Sequence, residues 1–117
     1  MENFKEGNLE IRIESGNKNI VTWIGKSEDR DPSAFLNPYF DNILDDLHGK
    51  DLEIEFLKLE YMNSSTVPPI IQLIKNLNTS EIKTIIFYDK NSKWQSASFK
   101  ALETIARTMD FIEVIGK

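Results

Sequence analysis

Hydrophobic and polar positions along the chain alternate with two different periods, and the period changes several times. Residues 9–14, Leu-Glu-Ile-Arg-Ile-Glu, alternate strictly, as a strand with one buried face does. Ser15-Gly16-Asn17-Lys18-Asn19 is dense in turn formers, and the β-branched and aromatic run Ile20-Val21-Thr22-Trp23-Ile24-Gly25 follows it. The pair predicts an antiparallel hairpin. The mostly polar stretch from Lys26 to Asn37, with Pro32 inside it, reads as a loop.

Asn37-Pro38 then reads as a helix start, Asn as cap and Pro in the first turn. Phe40, Ile43, Leu44 and Leu47 recur at helical spacing, and His48-Gly49 supplies the ending. Leu52 to Leu59 is a third strand, and Tyr61-Met62-Asn63-Ser64-Ser65-Thr66 a largely polar turn. A second helix is expected near Val67, where Pro68 and Pro69 are tolerated because they fall in its first turn. Ile82 to Tyr88 predicts a fourth strand, Trp94 to Met109 a third helix and Phe111 to Ile115 a fifth strand. The order β-β-α-β-α-β-α-β implies one α/β domain over residues 1–117, a mixed sheet with an opening hairpin and parallel strands joined through helices.

Composition narrows the chemistry. A chain of 117 residues supports one core, burying roughly two-thirds of its unfolded surface. The absence of Cys removes disulfides, thiolate nucleophiles and thiolate metal sites, and one His leaves little for a structural zinc. No metal and no cofactor is therefore expected, and no Gly-rich phosphate loop is present. The net charge of −5 argues against non-specific nucleic-acid binding. The N-terminus lacks an export signal and the apolar runs are too short to span a bilayer, so a cytoplasmic protein without a membrane role is expected. On that reading the sequons at Asn63 and Asn78 are coincidences.

In open α/β sheets function gathers where a strand's carboxyl end meets the next helix. Here that place holds Asn63, Ser64, Ser65 and Thr66. Ser65 or Thr66 can serve simply as the helix cap. Three hydroxyls and an Asn exceed what one cap requires, however, and a helix N-terminus, with its free N–H groups and positive dipole end, accommodates a phosphate.

The strand, the turn Tyr61-Met62-Asn63-Ser64-Ser65-Thr66-Val67 and the apolar helix after it resemble the STAS domain of bacterial anti-sigma factor antagonists. The pattern there is Asp-Ser-Ser/Thr-Gly-Leu, with the Ser after Asp phosphorylated by a partner kinase. Asn63 stands at the Asp position, Ser64 at the phosphorylated Ser, Ser65 at the next hydroxyl and Thr66 at the Gly. Tyr61-x-Asn63 followed by hydroxyls is similar to the SiaC-like branch, regulatory phosphoproteins acting with a kinase and a metal-dependent serine/threonine phosphatase. The resemblance implies a partner-switching protein rather than an enzyme. Its phosphoacceptor would be Ser64, with Ser65 the alternative. Its partner would be a serine/threonine kinase or anti-sigma-like regulator, contacted through Tyr61, Met62, Asn63, Ser65, Thr66 and Val67, with Asn63 and Thr66 also shaping the turn.

Other residues read more simply. His48 belongs with a helix end rather than with catalysis, since no nucleophile or acid accompanies it. Asp41, Asp45 and Asp46 describe a solvated helix face, and Glu53 and Glu55 the wet side of a strand. Trp23 is expected in the core, and Trp94 either covers a core edge or joins an interaction surface. A response-regulator receiver would need acids after its first strand and an Asp ending its third, and neither is present. A small-molecule-binding α/β domain and an interaction domain without phosphorylation remain as alternatives.

Overall fold

A computed structural model describes all of residues 1–117. Six strands form one sheet in chain order: β1 (Phe4–Glu6), β2 (Leu9–Ser15), β3 (Asn19–Ser27), β4 (Leu52–Met62), β5 (Thr84–Tyr88) and β6 (Ile112–Gly116). The first three strands are antiparallel neighbours, and β3 through β6 run parallel. Three helices make the parallel connections: α1 (Ser33–Leu44), α2 (Val67–Thr79) and α3 (Lys93–Ala106).

Alternation along each strand sends one set of side chains into a single core of 25 buried hydrophobic residues. Trp23 of β3 is its centre, fully buried between Phe40 of α1 and Phe56 of β4, and Phe56 continues to Phe99 of α3. The opposite set, including Ile20, Thr22, Ile24, Glu53, Glu55, Ile85 and Phe87, is only half-buried. Glu53 and Glu55 pair there with Lys18 and Lys117, and the Lys117 ammonium lies 3.9 Å from the centre of the Phe87 ring.

Four elements differ from the sequence expectation. The short β1 was missed because three residues carry no detectable period; it is held by Phe4 against Phe35 and Tyr39 of α1. The Tyr39 hydroxyl donates to the Glu2 carbonyl at 2.7 Å, and burial pushes its pKa up to about 12. Helix α1 begins at Ser33, not at Asn37-Pro38, so Pro38 lies inside it. Leu36, Phe40 and Ile43 give that helix its buried stripe, and burying Leu36 outweighs the N–H that the exposed Pro38 lacks. Helix α3 ends at Ala106, before Met109.

The fourth difference positions the site. Strand β4 runs on to Met62, past the expected end at Leu59, by pairing with β3 alone. Its register against β3 slips twice, Thr22↔Glu55 giving way to Ile24↔Lys58 and Gly25↔Leu59 to Lys26↔Tyr61. Each slip places an extra residue in β4, which bends and re-aims the strand. The inward positions therefore change from Ile54 and Phe56 to Leu59 and Met62, breaking the two-residue period. Gly25 sits at this bend with φ +90°, where a side chain would drive into the Asn8 carbonyl.

Candidate functional site

Beyond Glu55, β4 has left β5, and its freed carbonyls need other partners. Gln95 of α3 supplies them. Its buried amide donates to the Phe56 carbonyl at 2.7 Å and the Leu59 carbonyl at 2.9 Å, while its oxygen accepts from the Asp89 N–H at 2.8 Å. One side chain thus holds the bent part of β4 against the β5–α3 turn. Sequence reading overlooked it, although its spacing to Phe99, Leu102 and Ala106 puts it on the buried stripe of α3.

The strand so held delivers the turn Asn63–Thr66. The Asn63 N–H donates to the Ser27 carbonyl at 3.0 Å, extending the β3 pairing by one residue. The Asn63 side-chain amide donates to the Asp29 carbonyl at 2.6 Å, and its oxygen accepts from the Thr66 hydroxyl at 2.7 Å. The Thr66 hydroxyl also lies 2.7 Å from that of Ser27, and both residues are essentially inaccessible. Asn63, Thr66 and Ser27 form a closed polar chain tying the start of α2 to the end of β3. Ser27, missed in the sequence, continues the inward alternation of Asn19, Val21 and Trp23.

Ser64 and Ser65 stand outside this chain. They are exposed in a short 3₁₀ turn, and neither hydroxyl makes a hydrogen bond within the protein. No side chain caps α2: Thr66 stands at the cap position with its hydroxyl committed to Ser27 and Asn63.

The cradle of free N–H groups expected for a phosphate is reduced to those of Ser64 and Ser65, which make no hydrogen bond within the protein. The Thr66 N–H donates to the Asn63 carbonyl at 3.1 Å and the Val67 N–H to that of Ser64, while Pro68 and Pro69 have none. What remains is those two N–H groups and the dipole of α2. The loop that Asn63 holds beside the turn carries Glu28, Asp29 and Asp31 against a single Arg30. A phosphate here would meet more acidic than basic side chains in that loop.

The six residues expected to meet a partner do not share one surface. Tyr61 is 47% exposed, Ser65 exposed and Asn63 and Val67 half-buried. Met62 and Thr66 are turned into the core and offer no contact, because the second slip in β4 makes Met62 an inward position and the polar chain draws Thr66 beneath the turn. Leu57, 39% exposed on the same strand, was not anticipated.

The remaining candidates lie apart. His48 is exposed at the opposite end of the sheet, lining an open polar cleft with Lys18, Lys50, Asp51, Glu81 and Lys83. Asp41, Asp45 and Asp46 are exposed, and no three His, Asp or Glu side chains converge as metal ligands would. Trp94 is half-buried against the core edge. No helix is long and apolar enough to cross a membrane.

With this geometry in view, the arrangement of strands and helices has a counterpart among solved structures. It is similar to an uncharacterized DUF3478-family protein with a SpoIIAA-like fold from Shewanella loihica PV-4. The TM-score is 0.55 at 13% identity, over 97% of this chain and 90% of the other. The fold is SpoIIAA-like, that is, STAS-like. At that identity the likeness speaks for the fold alone. No family model matches the sequence, and no curated protein matches it.

Proposed function

We propose that the protein is a phosphorylation-controlled interaction switch of the STAS type, with Ser64 as the phosphoacceptor and Ser65 as the alternative. The observation that carries this reading is the division of labour in the turn. Asn63 and Thr66 hold the backbone, leaving two exposed Ser hydroxyls with no structural duty. A residue that only capped the helix would have its hydroxyl spent on a backbone N–H, as Ser92 does at the start of α3.

The mechanism is electrostatic. Unmodified, the turn and the neighbouring Tyr61 meet a partner, a serine/threonine kinase or anti-sigma-like regulator, as in the SiaC-like branch that the motif resembles. Phosphorylation of Ser64 adds a charge of about −1.5 to −2. It does so beside an acidic loop, with no first-turn N–H of α2 free to receive it. At the interface that charge must be desolvated or repelled, and a coupling of about 1–3 kcal/mol changes affinity from several-fold to a hundredfold. A metal-dependent serine/threonine phosphatase would reset the switch. The protein itself performs no chemistry in this scheme.

The test uses wild type, Ser64→Ala and Ser64→Asp as baits in extract from the source cells. A kinase or regulator held by wild type and Ser64→Ala and lost with Ser64→Asp is the expected result. Equal retention by all three contradicts the switch and leaves a constitutive interaction domain.

A further inference from the structure

The two edges of the sheet are built differently. At one edge β1 is three residues long and carries Lys5 and Glu6, a short charged strand of the kind that discourages further pairing. At the other, β6 is five residues of Ile-Glu-Val-Ile-Gly in unbroken register with β5, from Thr84↔Ile112 to Tyr88↔Gly116, with no Pro and no bulge. The Thr84 N–H donates to the Phe111 carbonyl at 2.8 Å and the Lys117 N–H to that of Tyr88 at 2.9 Å. In a parallel ladder of this register the odd-numbered residues 111–117 bond to β5. The N–H and C=O groups of Ile112, Val114 and Gly116 accordingly face the open edge, where no further strand lies.

We infer that β6 pairs with β6 of a second copy of this chain, antiparallel about a two-fold axis beside Ile115, joining the two sheets into one. In that register Val114 of each copy exchanges both backbone bonds with Gly116 of the other. Ile115, half-buried on the open face, meets its own equivalent. Glu113 falls directly opposite Lys117 of the second copy, an opposite-charge cross-strand pair made twice by the symmetry. Glu113 is exposed and has no ion-pair partner within the chain. Lys117 is already drawn over this face by Glu55 at 3.8 Å, so it would sit between two carboxylates. This self-complementarity selects a second copy over an unrelated strand.

Sedimentation velocity over increasing concentration, combined with amide hydrogen exchange, tests the proposal. The native chain is expected to pass from its 13.5 kDa monomer to twice that mass. The Val114 and Gly116 amides should gain protection with concentration, while those of Glu113 and Ile115 are protected throughout. Val114→Pro removes a donor that the monomer's sheet does not use and should abolish association. Should that variant not fold, Glu113→Lys, an exposed change placing like charges opposite each other, should weaken association several-fold. A monomer at every concentration overturns the inference. So does a dimer unaffected by Glu113→Lys, or one whose Val114 amide exchanges at the same rate in both states.

Discussion

Two turns in this molecule lead from a parallel strand into a helix at the same end of the sheet, and they spend their polar side chains in opposite ways. In the β5–α3 turn, the Asp89 carboxylate accepts from the Asn91 N–H at 2.9 Å and the Ser92 hydroxyl from the Gln95 N–H at 3.4 Å. Those groups are consumed in shaping the turn. In the β4–α2 turn the shaping is done from beneath by Asn63, Thr66 and Ser27, and the two outermost hydroxyls are left over. The same ingredients, Asn and Ser before a helix, thus give a structural cap in one place and an unoccupied chemical handle in the other. Whether a hydroxyl is available for modification is decided by what else the fold offers its neighbours.

The comparison can be attacked at several points by urea unfolding, with midpoints read at unchanged slope. Gln95→Leu should cost most, about 3 kcal/mol, because two buried carbonyls and the Asp89 N–H lose their partner together. Thr66→Val should cost about 2 kcal/mol by leaving the Ser27 hydroxyl and the Asn63 side-chain oxygen unpaired. Ser92→Ala, the removal of a working cap, should cost about 1 kcal/mol. Ser64→Ala and Ser65→Ala should each fall within about 0.5 kcal/mol of wild type, as exposed substitutions without structural duties do. A loss at Ser64 as large as that at Ser92 would erase the distinction between the turns.

Much of the scaffold was legible in the sequence because period and breaker residues report directly on burial. The hairpin, the alternation of helices and strands, and the placement of Trp23 all follow from that pattern. Legibility failed where tertiary contacts override local rules. Leu36 draws α1 back past Pro38, and pairing with β3 carries β4 three residues past Leu59, with one slip before that residue and one after it that no period reveals. At the site, the location of the turn and its surplus of hydroxyls were readable. The burial of Met62 and Thr66 was not, since it depends on those slips and on Ser27, more than thirty residues away in sequence. The narrowing of the amide cradle to Ser64 and Ser65 was half legible, because Pro68 and Pro69 announce two missing donors while the commitments of Thr66 and Val67 appear only in three dimensions.

The central claim is that Ser64 is a phosphoacceptor, and mass spectrometry of the protein isolated from its own cells, with any phosphate mapped to a residue, tests it most directly. The account predicts phosphate on the exposed serines of the β4–α2 turn, at Ser64 first, with a stoichiometry that changes with growth conditions. Consistent absence of phosphate from that turn across those conditions, or phosphate confined to another part of the chain, would contradict it.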